Sequence, residues 1–458
     1  MGIGIFLKSF LPWALYVTGL VCAFIAMGGG VRWALMLATF LLPLRNVIDK
    51  IQAFPLGTQF IDILLLGAII GWIVNTSSQN RKFSDKSLIN GIAIVLVLYM
   101  TASLFRGDLY LYGTLNFNIH ATRVQDWKNF CLFPLIFFIV FNNIRSKTEI
   151  KQIFIVMCLG MAVEAYYTIH QIGLHPSLFG RDQVKGTFQF LGPNEVAAFF
   201  NEYTIILLTV TFFMKRCASK TLILILVFFN LYCIMFLYSR GAYLGLIAGM
   251  FILFAVKNRI LLIPLILVLI FWQSVLPVKV IERIKETENK YGQLDESSQR
   301  RIDIWEQGIA LFKSNPIVGI GFGVFRHLGL DLKDTHNIYV KILTEQGVIG
   351  FIIFFIVVFC FMKEGLYLYK KGEDDEAKGL GLGFFISIFV MLANNCFGDR
   401  WSYLEPNAYL WIFAGLVARL NVLAQGLQPV ASKVKKTETL TEKTGPQKHK
   451  KKLRYYDI

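Results

Sequence analysis

The stretch GVIGFIIFFIVVFCFMK, residues 347–363, carries a single charge, at its last position. An apolar run this continuous has no polar face to offer water, and its length approaches the ~20 residues that cross the hydrocarbon of a bilayer. The same reading recurs outward along the chain. Apolar segments at 10–27, 31–44, 60–75, 88–105, 129–143, 150–170, 195–214, 220–238, 241–256, 259–274, 379–397 and 403–420 are separated by shorter polar ones. They predict an all-α integral membrane protein of about 12 transmembrane helices with one large loop containing short helices. The weakest segment, Val31–Leu44, reads as half of a re-entrant hairpin, which leaves the side of the N-terminus open. With 55% hydrophobic residues, 41 Phe and a mean hydropathy of +0.56, the composition excludes an ordinary soluble globular chain. No A-x-A-like cleavage site follows Phe10–Met27, so that segment is read as retained.

The formal net charge of +16 resembles that of a nucleic-acid-binding protein, but its placement argues against nucleic acid. The basic residues sit in short loops and in a C-terminal tail, as membrane topology signals do. Placing 81–86, 145–151, 215–220, 257–259 and 363–378 in the cytoplasm puts 106–128, 171–194, Ser239–Arg240, 275–337 and 398–402 outside. The chain then divides into a bundle over 1–274, a large outer loop over 275–337, further membrane helices over 338–420 and a basic tail over 421–458. The tail is read as disordered and cytoplasmic, with Lys448, Lys450, Lys451, Lys452 and Arg454 placed to meet anionic membrane lipids or to anchor topology. Cysteines 22, 131, 158, 217, 233, 360 and 396 form no CxxC pair and read as small apolar residues.

In the 275–337 segment nine acidic and nine basic residues cancel. Ile302, Trp305, Ile309 and Phe312 recur at helical spacing, and Asn315-Pro316 ends that helix. Where the segment meets the next span lies Asp334-Thr335-His336-Asn337. Histidine is the side chain suited to proton transfer near neutral pH, and Asp334 or Asn337 could orient its ring. A histidine at such a boundary is commonly only a hydrogen-bonded structural residue. Glycines 319, 321 and 323 follow no strand, so they read as tight backbone turns and not as a nucleotide fingerprint. Gly347 and Gly350 read as a place for another helix to pack closely. Glu202 falls within a predicted span, where an ionisable group is a functional candidate or a buried link between helices.

His336-Asn337, nine residues, then Gly347-x-x-Gly350 resembles the signature of the O-antigen ligase and polymerase family. Arg240-Gly241-Ala242-Tyr243-Leu244 fits a second element of that family, an Arg and a Leu separated by three residues at the outer end of a helix. Arg301-Ile302-Asp303-Ile304-Trp305, Asn315-Pro316, Gly319–Gly323, Gly186-Thr187-Phe188 and Gly192-Pro193-Asn194 are family-like as well. The resemblance implies transfer of a glycan from undecaprenyl pyrophosphate, on the periplasmic face of the bacterial inner membrane, to a hydroxyl of lipid A-core or of another lipid-linked glycan. It implies a metal-independent inverting transferase with no cofactor, in which His336 is the general base and Arg240 holds the donor pyrophosphate. Arg181 and Arg301 map to the same side and join it as candidate phosphate ligands, because a planar guanidinium grips phosphate oxygens with paired bonds. Asn337 and Asp334 are the supporting residues. Each arginine has a plainer alternative: Arg240 snorkelling to the interface, Arg301 in a surface ion pair, Arg181 as a loop charge. Ligase and polymerase share these motifs. A transporter without chemistry predicts charged or polar residues along a transmembrane path and often an internal repeat; here mid-membrane charges are few, the informative residues gather on one face, and no repeat links the two halves.

Overall fold

The computed structural model describes residues 2–285, 296–328 and 334–426, the side chains of 2–9, 179, 296 and 297 excepted. Among the described residues the fold is all-α. Its helices are α1 (Gly2–Met27), α2 (Val31–Leu41), α3 (Arg45–Ile48), α4 (Phe60–Ser78), α5 (Leu88–Tyr112), α6 (Thr122–Asn143), α7 (Lys147–Leu174), α8 (Pro193–Phe213), α9 (Ala218–Phe236), α10 (Arg240–Lys257), α11 (Leu262–Ile270), α12 (Trp272–Val275), α13 (Val278–Lys285), α14 (Glu296–Ser314), α15 (Ile338–Lys371), α16 (Asp375–Asn395) and α17 (Leu404–Ala424). Eleven are long and apolar enough to cross a membrane, or up to twelve if the bent pair Val31–Leu41 and Arg45–Ile51 counts as one span. That pair turns by 107°, so the weak second segment is a broken helix.

Local chemistry sets the helix starts. Ser146 accepts from the amide of Glu149 while the Glu149 carboxylate accepts from the amide of Ser146, a reciprocal cap for α7. α8 opens on Pro193, whose missing N–H costs nothing in a first turn. Asp374 caps α16 by accepting from the Ala377 amide at 2.8 Å.

The central layer is α8, α16 and α17. Every residue from Glu405 to Val422 is buried. In α10, by contrast, only Ala242, Gly245, Gly249 and Leu253 are buried, a single stripe of mostly small residues against α8 and α16. Glu202 in α8 accepts from the Asn394 side chain at 3.2 Å and is 2% exposed, the link between helices that its position allowed.

The expected span at 259–274 is not one continuous helix. Arg259–Ile270 is too short for that, and α12 follows it separately. Lys257, at one end of α10, lies 3.5 Å from the Phe213 ring, whereas Val278 begins the helix that reaches the opposite end. The intervening chain therefore returns across the bundle in short pieces. Neither α11 nor α12 buries a residue, so their Ile, Leu and Val side chains face outward.

The loop regions sort to two ends, as the basic pattern predicted. At one end Lys147 meets Glu373 and Asp374 at 2.9 and 2.7 Å, Lys151 meets Glu376 at 2.8 Å, and Arg419 meets Asp85 at 2.9 Å. At the other, Arg123 pairs with Asp108 at 2.8 Å and donates to the carbonyl of Phe322, tying 106–128 to the 275–337 segment.

α14 forms as its spacing indicated, but its buried face is rotated from the predicted stripe. Ile304 and Gly308 are buried while Ile309 is exposed. Gly308 is the reason: its carbonyl accepts from Thr344 Oγ1 at 3.0 Å, and a Cβ there would lie 2.8 Å from Val340. Close approach to α15 at this glycine sets the rotation.

The next turns are built on glycine. Gly321 has φ +113°, and a Cβ would sit 2.3 Å from the Gly107 backbone, so no other residue fits there. Gly347, expected to admit a neighbouring helix, instead breaks α15 with φ +65° and ψ −165°. The chain of Pro316–Ile317 replaces the lost helical partners: the amides of Val348 and Ile349 donate to the carbonyls of Pro316 and Ile317 at 2.9 and 3.2 Å. Gly350 does face another helix, through Tyr99 of α5.

Candidate functional site

His336 stands in the last turn before α15, in the left-handed region at φ +48°. Non-glycine residues occupy that region only when their surroundings hold them there. Asn337 caps α15, its Oδ1 accepting from the amides of Tyr339 and Val340 at 2.9 and 3.1 Å, and its Nδ2 donates to the Cys396 carbonyl at 3.1 Å. On the other flank, Trp305 of α14 donates to the carbonyl of Thr335 at 2.9 Å. The imidazole itself is 43% exposed. Asp334 Oδ2 lies 4.0 Å from its Nδ1, beyond hydrogen-bond reach, while Asp334 Oδ1 accepts from the His336 amide at 3.4 Å. Asn337 does not orient the ring: its amide is committed to the cap and to Cys396, so it supports the site by fixing the backbone.

His336 faces a cavity of about 800 Å³. All three arginines singled out from sequence, Arg181, Arg240 and Arg301, line it. They come from distant parts of the chain. Arg181 sits in a 3-10 turn after α7, Arg240 opens α10, and Arg301 projects from α14. Arg181 is fixed by donating to the Leu237 carbonyl at 2.8 Å and to the Asn194 side chain. Burial, and then Arg283 nearby, pull its pKa down to about 10, which leaves it charged at neutral pH.

Three further arginines line the same cavity, Arg283, Arg300 and Arg400, with Asp182 the one carboxylate among the described residues of the lining. Sequence reasoning passed over them. Arg300 adjoins Arg301, and Arg283 lies on a short strongly amphipathic helix. Arg400 was visible as a charge in an outer turn, but nothing in its neighbours marked it. The structure buries it to 4% exposure, where it donates to the Asn394 carbonyl at 2.7 Å and pairs with Glu195 at 3.5 Å. Its turn is held by Asp399, which takes Lys341 at 2.5 Å and the Ser402 amide at 3.0 Å. The half-buried Lys341 keeps the Asp399 carboxyl below the usual carboxylate range, against the effect of burial.

Leu244 and Ile247, one and two turns into α10, also line the cavity, and Leu244 is 54% exposed. The cationic chamber therefore continues onto an apolar face at the depth of a membrane helix. Such an arrangement can hold an anion carried on a hydrocarbon chain: arginines for the charge, an apolar flank for the tail. Asp334 lies across the turn from this chamber and lines a second cavity.

The architecture and the cavity together define a multi-pass membrane protein with a cationic chamber at one end. A family model described as O-Antigen ligase matches residues 225–355, and this part of the chain carries the features of that family. The match takes in Arg240, Arg301, His336 and Gly347–Gly350, while Arg181 and the Gly186–Asn194 stretch precede it. It supports glycan transfer of the ligase or polymerase kind on lipid-linked substrates. No curated protein matches the chain.

Proposed function

We propose that this protein transfers a glycan from undecaprenyl pyrophosphate to a hydroxyl of lipid A-core, at the periplasmic face of the bacterial inner membrane. The observation that carries this reading is the arginine-lined chamber with His336 in its wall and Leu244 and Ile247 on its flank. The donor pyrophosphate lies among Arg240, Arg181 and Arg301, with its polyprenyl chain along the apolar face of α10. His336 takes the proton of the acceptor hydroxyl as its oxygen attacks the anomeric carbon, and the bond to pyrophosphate breaks on the opposite face. The departing group gains charge, which the fixed guanidinium groups are already placed to stabilise. Asp334 beside Nδ1 favours the imidazolium that forms.

The second reading keeps this chemistry with a lipid-linked repeat as acceptor, which makes the protein a polymerase; the family match supports both. Reconstitution with an undecaprenyl-pyrophosphate glycan tests them together. Glycan on lipid A-core, absent with His336→Ala, supports the ligase. A ladder of longer lipid-linked chains without added acceptor supports the polymerase. Product from neither, with folded protein, overturns both.

A further inference from the structure

The turn from Asp334 to His336 is a wall with a cavity on each side. Opposite the arginine chamber lies a cavity of about 310 Å³ bounded by α6, the 322–326 turn, Asp334–Thr335 and the start of α17. Its chemistry differs from that of the chamber. Among the described residues four carboxylates line it, those of Asp126, Asp334, Glu345 and Glu405, against the cations Arg45, Arg326 and Lys341. Several of these groups serve the fold. Arg326 pairs with Asp126 at 3.1 Å, Lys341 is held by Asp399, and Glu345 accepts from the amides of Gly323 and Phe325. Others face the space itself. Glu405 is 5% exposed at the mouth of α17. Phe190 is 61% exposed and stands edge-on to Tyr403 with ring centroids 6.3 Å apart. Asn129 completes the polar lining.

Carboxylates in excess over cations disfavour a phosphate. They favour a neutral ligand rich in hydroxyls, which donate to an ionised carboxylate and accept from a protonated one. An exposed aromatic face beside them suits the apolar C–H side of a sugar ring. The volume lies at the lower end of the ~300–1,000 Å³ of small-ligand pockets. We propose that this second cavity is a saccharide subsite for the acceptor. It seats the terminal sugar so that one hydroxyl passes the Asp334 edge of the wall to His336. The proposal rests on the glycan-transfer reading for its purpose, but the binding itself is measured apart from transfer.

The full chain in nanodiscs is titrated calorimetrically with two probes. One is core oligosaccharide cleaved from lipid A by mild acid and then dephosphorylated, and the other is the repeat oligosaccharide released by hydrolysis from the polyprenyl donor. The expected result is saturable binding of one probe, which identifies the acceptor as core or repeat. Phe190→Ala and Glu405→Gln each weaken that binding, roughly threefold to tenfold. Arg240→Ala leaves it unchanged, because the free sugar carries no pyrophosphate. Absence of binding by either probe overturns the proposal. So does binding that Arg240→Ala abolishes and Phe190→Ala spares. Phe190 is exposed, so its variant decides the matter even if Glu405→Gln fails to fold. Transfer that survives in His336→Ala would sink the catalytic reading alone, while the titration still judges the subsite.

Discussion

Both ends of the bundle are rich in basic residues, yet they use them in opposite ways. At the end where Lys147 and Lys151 lie, the cations face carboxylates on the α15–α16 turn, and Arg419 is paired with Asp85. At the other end, six arginines line one cavity, and among the described residues of its lining Asp182 is the one carboxylate. The first arrangement neutralises charge and ties helices together. The second gathers guanidinium groups from distant parts of the chain around one space beside a histidine. Counting Lys and Arg orients both ends but cannot tell them apart, because the difference lies in which groups folding places opposite one another.

The comparison is broken most directly at His336. His336→Ala is expected to lower transfer by roughly 10²–10⁴-fold, the range for a general base, while binding of the lipid-linked donor persists. Near-normal turnover in reconstituted vesicles would remove His336 from the chemistry. Next in size, Arg240→Ala is expected to weaken donor binding by about 10- to 100-fold, the worth of one hydrogen bond to a charged group. Arg240→Lys should restore only part of it, since an ammonium cannot form the paired grip. Equal affinities for the two variants would show that Arg240 acts as no more than a snorkelling anchor.

A smaller effect probes the scaffold of the charged end. Gly321→Ala places a methyl group against the Gly107 backbone and forces a left-handed φ on alanine. A loss of roughly 1–3 kcal/mol is expected, read as earlier thermal unfolding in detergent. Unchanged unfolding would mean that the 319–323 turn is not anchored there. The smallest effect belongs to the paired end. Lys147 is 43% exposed, so Lys147→Ala should cost less than about 1 kcal/mol and leave donor binding as it was. A large loss of donor affinity in that variant would erase the distinction between the ends.

Much of the site was legible because its residues sit beside breaks in hydropathy. His336 precedes an apolar run, Arg240 opens one, and the glycines of 319–323 punctuate the loop. Asn337 was noticed for the wrong reason, as a partner for the imidazole, because sequence adjacency does not reveal that a helix cap has claimed its amide. Arg400 went unseen: two adjacent charges, Asp399 and Arg400, in a short turn carry no mark of the burial that the fold gives both.

What the sequence alone determined is the class of fold, the location of nearly every membrane helix and the sorting of loops to two ends. All three follow from local properties, since a bilayer admits only long apolar helices and basic loops report their side. Its failure at 259–274 has a physical origin, because hydropathy measures how apolar a segment is and not whether the helix runs unbroken; at 31–44 the short apolar run did point to the bent pair. Only the tertiary structure decided which apolar helices are central. α10 and α17 read alike as spans, yet one buries a stripe and the other is buried throughout. Likewise only the fold could bring Arg181, Arg240, Arg301 and Arg400 around one space. They are separated by long stretches of chain, and their convergence depends on how α7, α10, α14 and the α16–α17 turn pack.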